Sequence, residues 1–178
     1  MAHPDPEVPF GAMGPDGIPS VLRQVVDGWR VAGERIVFTN GVFDLLHRGH
    51  VAYLQAARHL GHRLVVGLNS DESVRRLGKG ADRPIHAEAD RAFVLGALRC
   101  VDAVVLFTTD TPQALIESLR PDVLVKGGDY DPNVSDPSDR RYMVGREAVF
   151  ARGGQVVAIP LVPGHSTTGI VQKLRSPG

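Results

Sequence analysis

Apolar positions along the chain follow two alternating patterns. Short, nearly unbroken apolar runs, "RIVFT" (35–39), "RLVVGLN" (63–69), "DAVVLF" (102–107), "DVLVK" (122–126) and "QVVAIPL" (155–161), read as buried strands. Between them, apolar residues recur at helical spacing. "SVLRQVVDGWRVAG" (20–33) has Ser20 to cap it and Gly33 to end it. "GHVAYLQAARHLG" (49–61) places Val51, Leu54 and Ala57 on one face and stops at Gly61, and "SDESVRRL" (70–77) opens on a capping serine. "RAFVLGALRCV" (91–101) is helical, and Thr111-Pro112 opens a helix to Leu119 with proline at its first position. "AVFARGG" (148–154) closes a helix, and "STTGIVQKLR" (166–175) is the last.

Strands that alternate with helices predict an α/β fold: a doubly wound, five-stranded parallel sheet with helices on both faces. Residues 20–178 read as one domain without internal repeats, and residues 1–19, rich in proline and glycine, as a flexible leader. The leader lacks the basic segment followed by an apolar one that marks a secretion signal. "KGADRPIHAEAD" (79–90) is a polar loop, and "DPNVSDPSDRRYMVG" (131–145) is a longer one of the kind that forms lids or stays disordered.

Composition narrows the function. The 178 residues are 43% hydrophobic, enough for one sizeable core. Lys+Arg and Asp+Glu both total 20, so a zero formal net charge argues against nucleic acid or an anionic membrane as a partner. No apolar stretch is long enough to span a bilayer. Cys100, the single cysteine, forms no intramolecular disulfide, which fits a reducing cytoplasm, and it sits in an apolar segment that reads as core.

Ligands of open α/β sheets bind beyond the carboxyl ends of the strands. That rule gathers Thr39, Asn40, Gly41, Phe43, Asp44, His47 and His50 after the first strand, and Asn69 and Asp71 after the second. Lys126, Gly127, Gly128 and Asp129 follow the fourth, and Ser166, Thr167 and Thr168 the fifth. His47 and His50 bracket Gly49 where a helix begins. Unpaired backbone N–H groups there suit an anion, imidazole donors strengthen it, and the glycine lets a phosphate approach. Zinc-binding histidines on a helix are usually four apart and need a third ligand, so the spacing of three favours phosphate over metal. "HSTTG" offers three hydroxyls at the last helix, although alone it reads more readily as an ordinary cap. Lys79 lies between two glycines in a loop that suits a polyphosphate, or a solvated lysine. Arg91 and Arg99, two helical turns apart, are expected on the same side. Asp129 can hold a hydroxyl or magnesium or cap a turn, Asp44 is open between magnesium, acceptor and turn, and Asp110 and Asp122 read as turn residues. Neither a P-loop nor a dinucleotide glycine fingerprint is present.

"GVFDLLHRGH" resembles the H-x-G-H signature of the nucleotidyltransferase superfamily that includes cytidylyltransferases and pantetheine-phosphate adenylyltransferase, and "HSTTGI" resembles its second signature. "VGLNSDESVRRLGKGADRPI", "ADRAFVLGALRCVD" and "DTPQALIESLRPDVLVKGGDY" extend the likeness, over roughly residues 35–175, to the heptose 1-phosphate adenylyltransferase family in its stand-alone form. The resemblance implies a Rossmann-like fold and AMP transfer from ATP to D-glycero-D-manno-heptose 1-phosphate, with magnesium carried mainly on the ATP phosphates. It also implies a cytoplasmic homodimer or higher homo-oligomer serving surface-glycan synthesis. Carried over by motif, His47 and His50 contact the triphosphate, Lys79 the phosphates, and Ser166, Thr167 and Thr168 the leaving pyrophosphate, while Phe43 and "KGGDY" shape the nucleotide pocket. Arg91 and Arg99 match functional positions of relatives. Two departures stand out. Leu161 replaces the arginine that glycerol-3-phosphate cytidylyltransferases carry before the serine–threonine turn, and the 131–145 loop is longer than usual. The alternatives are transfer to another phosphorylated alcohol, from ATP or CTP, and a non-catalytic nucleotide-binding module.

Overall fold

A computed structural model describes residues 9–14, 17–78 and 82–175. Its elements in chain order begin β1 (Phe10–Ala12), α1 (Ser20–Val31), β2 (Ile36–Gly41), α2 (Arg48–Arg58), β3 (Arg63–Asn69) and α3 (Asp71–Arg76). They continue α4 (Glu88–Gly96), β4 (Ala103–Phe107), α5 (Gln113–Leu119), β5 (Val123–Gly127), α6 (Arg146–Phe150), β6 (Gln155–Ile159) and α7 (Thr167–Arg175). The strands form one parallel sheet in the order β1-β4-β3-β2-β5-β6.

Successive strand residues face opposite sides, which explains why the strands are apolar throughout. Ile36 and Phe38 pack with Leu22 and Val26 of α1, Leu115, Ile116 and Leu119 of α5, and Val149 of α6. Val37, between them, packs on the other face with Leu54 and Ala57 of α2 and Leu95 of α4. The doubly wound sheet with helices on both faces is therefore as expected, but it has six strands rather than five.

The sixth is β1, which corrects the reading of residues 1–19 as wholly a leader. Phe10–Ala12 lies along β4 with Phe10 opposite Val104, and the amide of Met13 donates to the Leu106 carbonyl at 2.7 Å. These are backbone contacts, which a three-residue segment with Phe10 exposed does not announce in its side chains. Boundaries shift elsewhere. Ser20 is the first residue of α1 rather than its cap, and α5 begins one residue after Pro112. α4 starts at Glu88 and ends at Gly96, so Arg99 is not on it.

The chain leaves β2 for β3 and β4 on one side and returns to β5 and β6 on the other. The loops after β2 and β5 therefore diverge and open a crevice between them.

Candidate active site

The crevice is a cleft of about 520 Å³. Asn40, Gly41 and Phe43 line it from the end of β2, His47, Gly49 and His50 from the start of α2, and Asn69 from the end of β3. Lys126 and Gly127 face them from β5, and Ser166 and Thr167 from the start of α7. Four loops distant in sequence thus meet where the strand order reverses.

The first wall is a short aromatic column. His47 is the N-cap of α2, and its Nδ1 accepts a long hydrogen bond, 3.4 Å, from the His50 amide. A neutral His47 therefore carries its proton on Nε2. The two imidazoles stack with centroids 3.9 Å apart, and the Phe43 ring meets His50 edge-on at 5.4 Å. Phe43 holds this place with φ +47, and a Cβ on Gly41 would lie 3.0 Å from its ring. Burial, with His47 alongside, lowers the His50 pKa to about 4, against an opposing interaction with the Leu45 backbone. Burial and then His165 lower that of His47. Both rings thus favour the neutral form, and an anion beside them would raise their pKa values.

Two polar side-chain atoms of the cleft, His50 Nδ1 and Asn40 Oδ1, are buried without a hydrogen-bond partner among the described residues. Buried polar atoms are nearly always paired, so an orphaned pair in one cleft points to a ligand. Opposite, the Ser166 hydroxyl accepts the Gly169 amide at 3.0 Å and caps α7. Lys126 is 8% exposed, with its ammonium 5.3 Å from the Tyr130 ring centroid.

Gly49 fits because it has no side chain. A Cβ there would lie 2.9 Å from His47 Cε1 and 3.0 Å from His165 Cβ. Gly49→Ala is expected to swing the His47 ring out of the stack and lower kcat about 10–100-fold. The helix preference of alanine offsets part of the crowding against His165 Cβ, so the thermal midpoint should change little. A parallel fall in activity and Tm would contradict this account.

The lowered His50 pKa has a stability consequence. Between pH 6.5, the ordinary value, and about 4, the unfolded chain binds a proton that the folded one refuses. This contribution is complete above pH 6.5 and is lost as pH falls to about 4. His50→Gln should flatten that part of the Tm–pH curve, and an unchanged slope would argue against it.

Other expected site residues lie outside the cleft lining. Thr39 is fully buried behind it, its hydroxyl 2.6 Å from that of Tyr53. Asp44 is committed to the turn: its carboxylate pairs with Arg83 and accepts the Ile85 and His86 amides at 2.8 and 3.0 Å. Burial pushes its pKa up, but the amides and Arg83 outweigh burial and hold it below the usual carboxylate value. Arg91, its side chain fully buried, donates to the carbonyls of Val42, Asn69 and His86 and to Asp71. That engages both Arg91 and Asp71 in bracing the cleft rather than lining it. Arg99 is exposed in the turn leading into β4, at the opposite end of that strand from the cleft, which corrects the expectation that it faces with Arg91. Gly128 packs against Leu161, while Asp129 and Thr168 are exposed and do not line the cleft. Lys79 lies outside the described residues.

Tyr53 and Tyr142, which the sequence did not single out, also line the cleft, together with Tyr130, Leu161 and His165. Tyr130 closes the motif "KGGDY" and His165 opens "HSTT". Tyr142 comes from the 131–145 loop, which Met143, wholly buried, anchors in the core. Among the described residues no three His, Cys, Asp or Glu side chains are grouped to hold a metal. No described helix is long and apolar enough to cross a membrane.

Comparison with known proteins agrees with the geometry. Residues 38–173 match the cytidylyltransferase-like family. A protein of Geotalea uraniireducens (strain Rf4), Bifunctional protein HldE, is 51% identical over 98% of this chain and 33% of its own length. The Bifunctional protein HldE of Citrifermentans bemidjiense is 57% identical over 88% of this chain and 30% of its own. The chain thus spans about a third of the length of these relatives. The crystal structure of the lipopolysaccharide core biosynthesis protein from Thermoplasma volcanium GSS1 superimposes with a TM-score of 0.55 at 28% identity, covering 73% of this chain and 98% of that one.

Proposed function

Because the chain belongs to the cytidylyltransferase-like family, we propose that it transfers AMP from ATP to D-glycero-D-manno-heptose 1-phosphate, giving ADP-heptose and pyrophosphate. The observation that carries the nucleotidyl transfer is the stacked His47–His50 pair at the start of α2, sharing one cleft with Ser166 and Thr167 at the start of α7. Two helix starts with hydroxyl and imidazole donors suit a triphosphate at the bond to be broken. The heptose acceptor rests on the matches to "GKGADRPI" and "LVKGGDY", and on Leu161 in place of an arginine suited to glycerol phosphate. Likeness to the lipopolysaccharide core biosynthesis protein of Thermoplasma volcanium supports a surface-glycan destination.

In the reaction an oxygen of the sugar phosphate attacks the α-phosphorus of ATP in line. The new P–O bond forms as the bond from the α-phosphorus to the bridging oxygen of pyrophosphate breaks, and pyrophosphate leaves with that oxygen's electron pair. The chain needs no covalent nucleophile. Its task is to align two anions and neutralise the charge that develops. His50 and His47 donate to the α-phosphate and bridging oxygen, Ser166 and Thr167 to the departing pyrophosphate, and Lys79 and Lys126 add positive charge. Tyr130 and Tyr142 form the apolar walls beside the base and sugar. Magnesium fits on the triphosphate itself, as it commonly does where no protein cage exists, and there it neutralises phosphate charge. A homodimer acting in the cytoplasm completes the proposal.

A matrix of ATP and CTP against both anomers of heptose 1-phosphate and against glycerol 3-phosphate, read by pyrophosphate release, tests the choice of substrates. ATP with a heptose 1-phosphate should exceed every other pair. Preference for CTP or glycerol 3-phosphate would move the chain to another member of the family, and nucleotide binding without release for any acceptor would favour a non-catalytic module.

A further inference from the structure

A second concavity, of about 660 Å³, lies at the opposite edge of the sheet, among the segments that precede β2 and β5. Arg30, Arg35, Arg120 and Arg152 line it, with Glu34 and Asp122 the carboxylates between them. In a chain of zero formal net charge this is a marked local excess of cations.

Both carboxylates are already engaged. Glu34 holds Arg63 through two hydrogen bonds of 2.6 and 2.9 Å, and Asp122 accepts the Ile36 amide at 2.7 Å. The helix ends explain part of the cluster. α1, α5 and α6 terminate here, each with a partial negative charge of about half a unit at its carbonyls. Arg30 answers that of α5 by donating to the carbonyls of Leu119 and Arg120, and it also pairs with Asp27. Arg120, the C-cap of α5, and Arg152, just past the end of α6, lie in the same field, but unlike that of Arg30 their guanidinium groups, and that of Arg35, make no hydrogen bond or ion pair among the described residues. Partial burial, then the proximity of Arg120 and Arg30, depress the Arg152 pKa, against the opposing attraction of Asp122 and Glu117.

We propose that this basin is a second binding site for a small polyphosphate anion, held by Arg35, Arg120 and Arg152. Guanidinium forks match phosphate oxygens in pairs, and a concavity of this volume suits a small ligand better than a flat protein surface would. The bound anion sits at the N-terminal ends of β2 and β5, whose other ends carry Asn40 and Lys126 of the cleft. The site does not depend on the activity proposed above, because none of its residues lines the cleft.

Titration calorimetry of the full chain with inorganic pyrophosphate is the test. The parent should bind one equivalent at the cleft and another at the basin, the latter weakening as salt is raised. The double variant Arg120→Gln, Arg152→Gln should lose the basin equivalent and keep the turnover of the parent at saturating substrates. His50→Gln should weaken only the other equivalent, so failure of the cleft reading is separately visible. Should the double variant lose its fold by circular dichroism, Arg35→Gln alone is expected to weaken the basin equivalent at least about tenfold. Folded variants that bind pyrophosphate as the parent does would overturn the proposal. So would a parent that binds no pyrophosphate at the basin but retains an acidic polypeptide through the same arginines.

Discussion

Replacement of His50 by alanine is expected to lower kcat about 10²–10³-fold while leaving the fold intact. The imidazole is the inner member of the column formed with His47 and Phe43, and its buried Nδ1 is unpaired among the described residues. Its neutrality before ligand binding, with a pKa of about 4, means that it avoids a buried charge in the free protein. In the proposed reaction negative charge builds between the α-phosphate and the bridging oxygen, and a donor already fixed in place would stabilise it without reorganising. Removing one such donor typically costs about 3–4 kcal/mol of transition-state stabilisation. The side chain contributes little to the hydrophobic core, so circular dichroism and the urea midpoint near pH 7.5 should match the parent. The loss should appear in kcat more than in KM for ATP, because the interaction strengthens as the bond breaks. A variant within a few-fold of the parent would remove His50 from the chemistry.

Arg91 is expected to matter for a different reason. Its guanidinium is wholly buried and bridges three segments: the turn after β2 through the Val42 carbonyl at 2.6 Å, the end of β3 through Asn69 at 2.9 Å, and the start of α4 through His86 at 3.0 Å. Asp71 supplies its counter-charge at 2.7 Å. Arg91→Ala leaves a carboxylate and several carbonyls without their donor, and breaking a buried pair in this way costs about 3–5 kcal/mol. Arg91→Met, which restores most of the volume, should recover little, since the loss lies in unpaired polar groups rather than in the cavity. Urea denaturation reads both variants. A loss below about 1 kcal/mol for Arg91→Ala would mean that water enters and takes over its bonds, and that the residue does not brace the cleft.

Much of this was legible in the sequence because the chemistry fixes it locally. β2 to β5 are buried on both faces and the edge strand β6 is half-buried, so each reads as an apolar run, and the carboxyl-edge rule then assigns Asn40, His47, Lys126 and Ser166 to one place before any packing is known. What escaped depends on direction and distance. Thr39 and Asn40 are adjacent and both polar, yet one is tied to Tyr53 behind the cleft while the other opens into it. Arg91 and Arg99 share a face only if the helix continues, and α4 stops at Gly96. Asp44 offered three readings by residue type, and only the approach of the 83–86 segment through tertiary folding decides for the turn. Tyr53 was missed because on α2 it reads as part of the packed helix face, Tyr142 because a tyrosine in a loop carries no periodic signal, and β1 because backbone pairing at a sheet edge leaves no trace in side-chain pattern.

The central claim is transfer of AMP to a sugar phosphate, and the fate of the α-phosphate tests it most directly. The protein is incubated with ATP labelled with ³²P at the α-phosphate, D-glycero-D-manno-heptose 1-phosphate and magnesium, and the nucleotides are separated. The account predicts label in a nucleotide sugar, with one pyrophosphate released for each labelled molecule formed, and dependence on His50. Label confined to ATP, or released as free AMP or ADP without entering the sugar nucleotide, would contradict it.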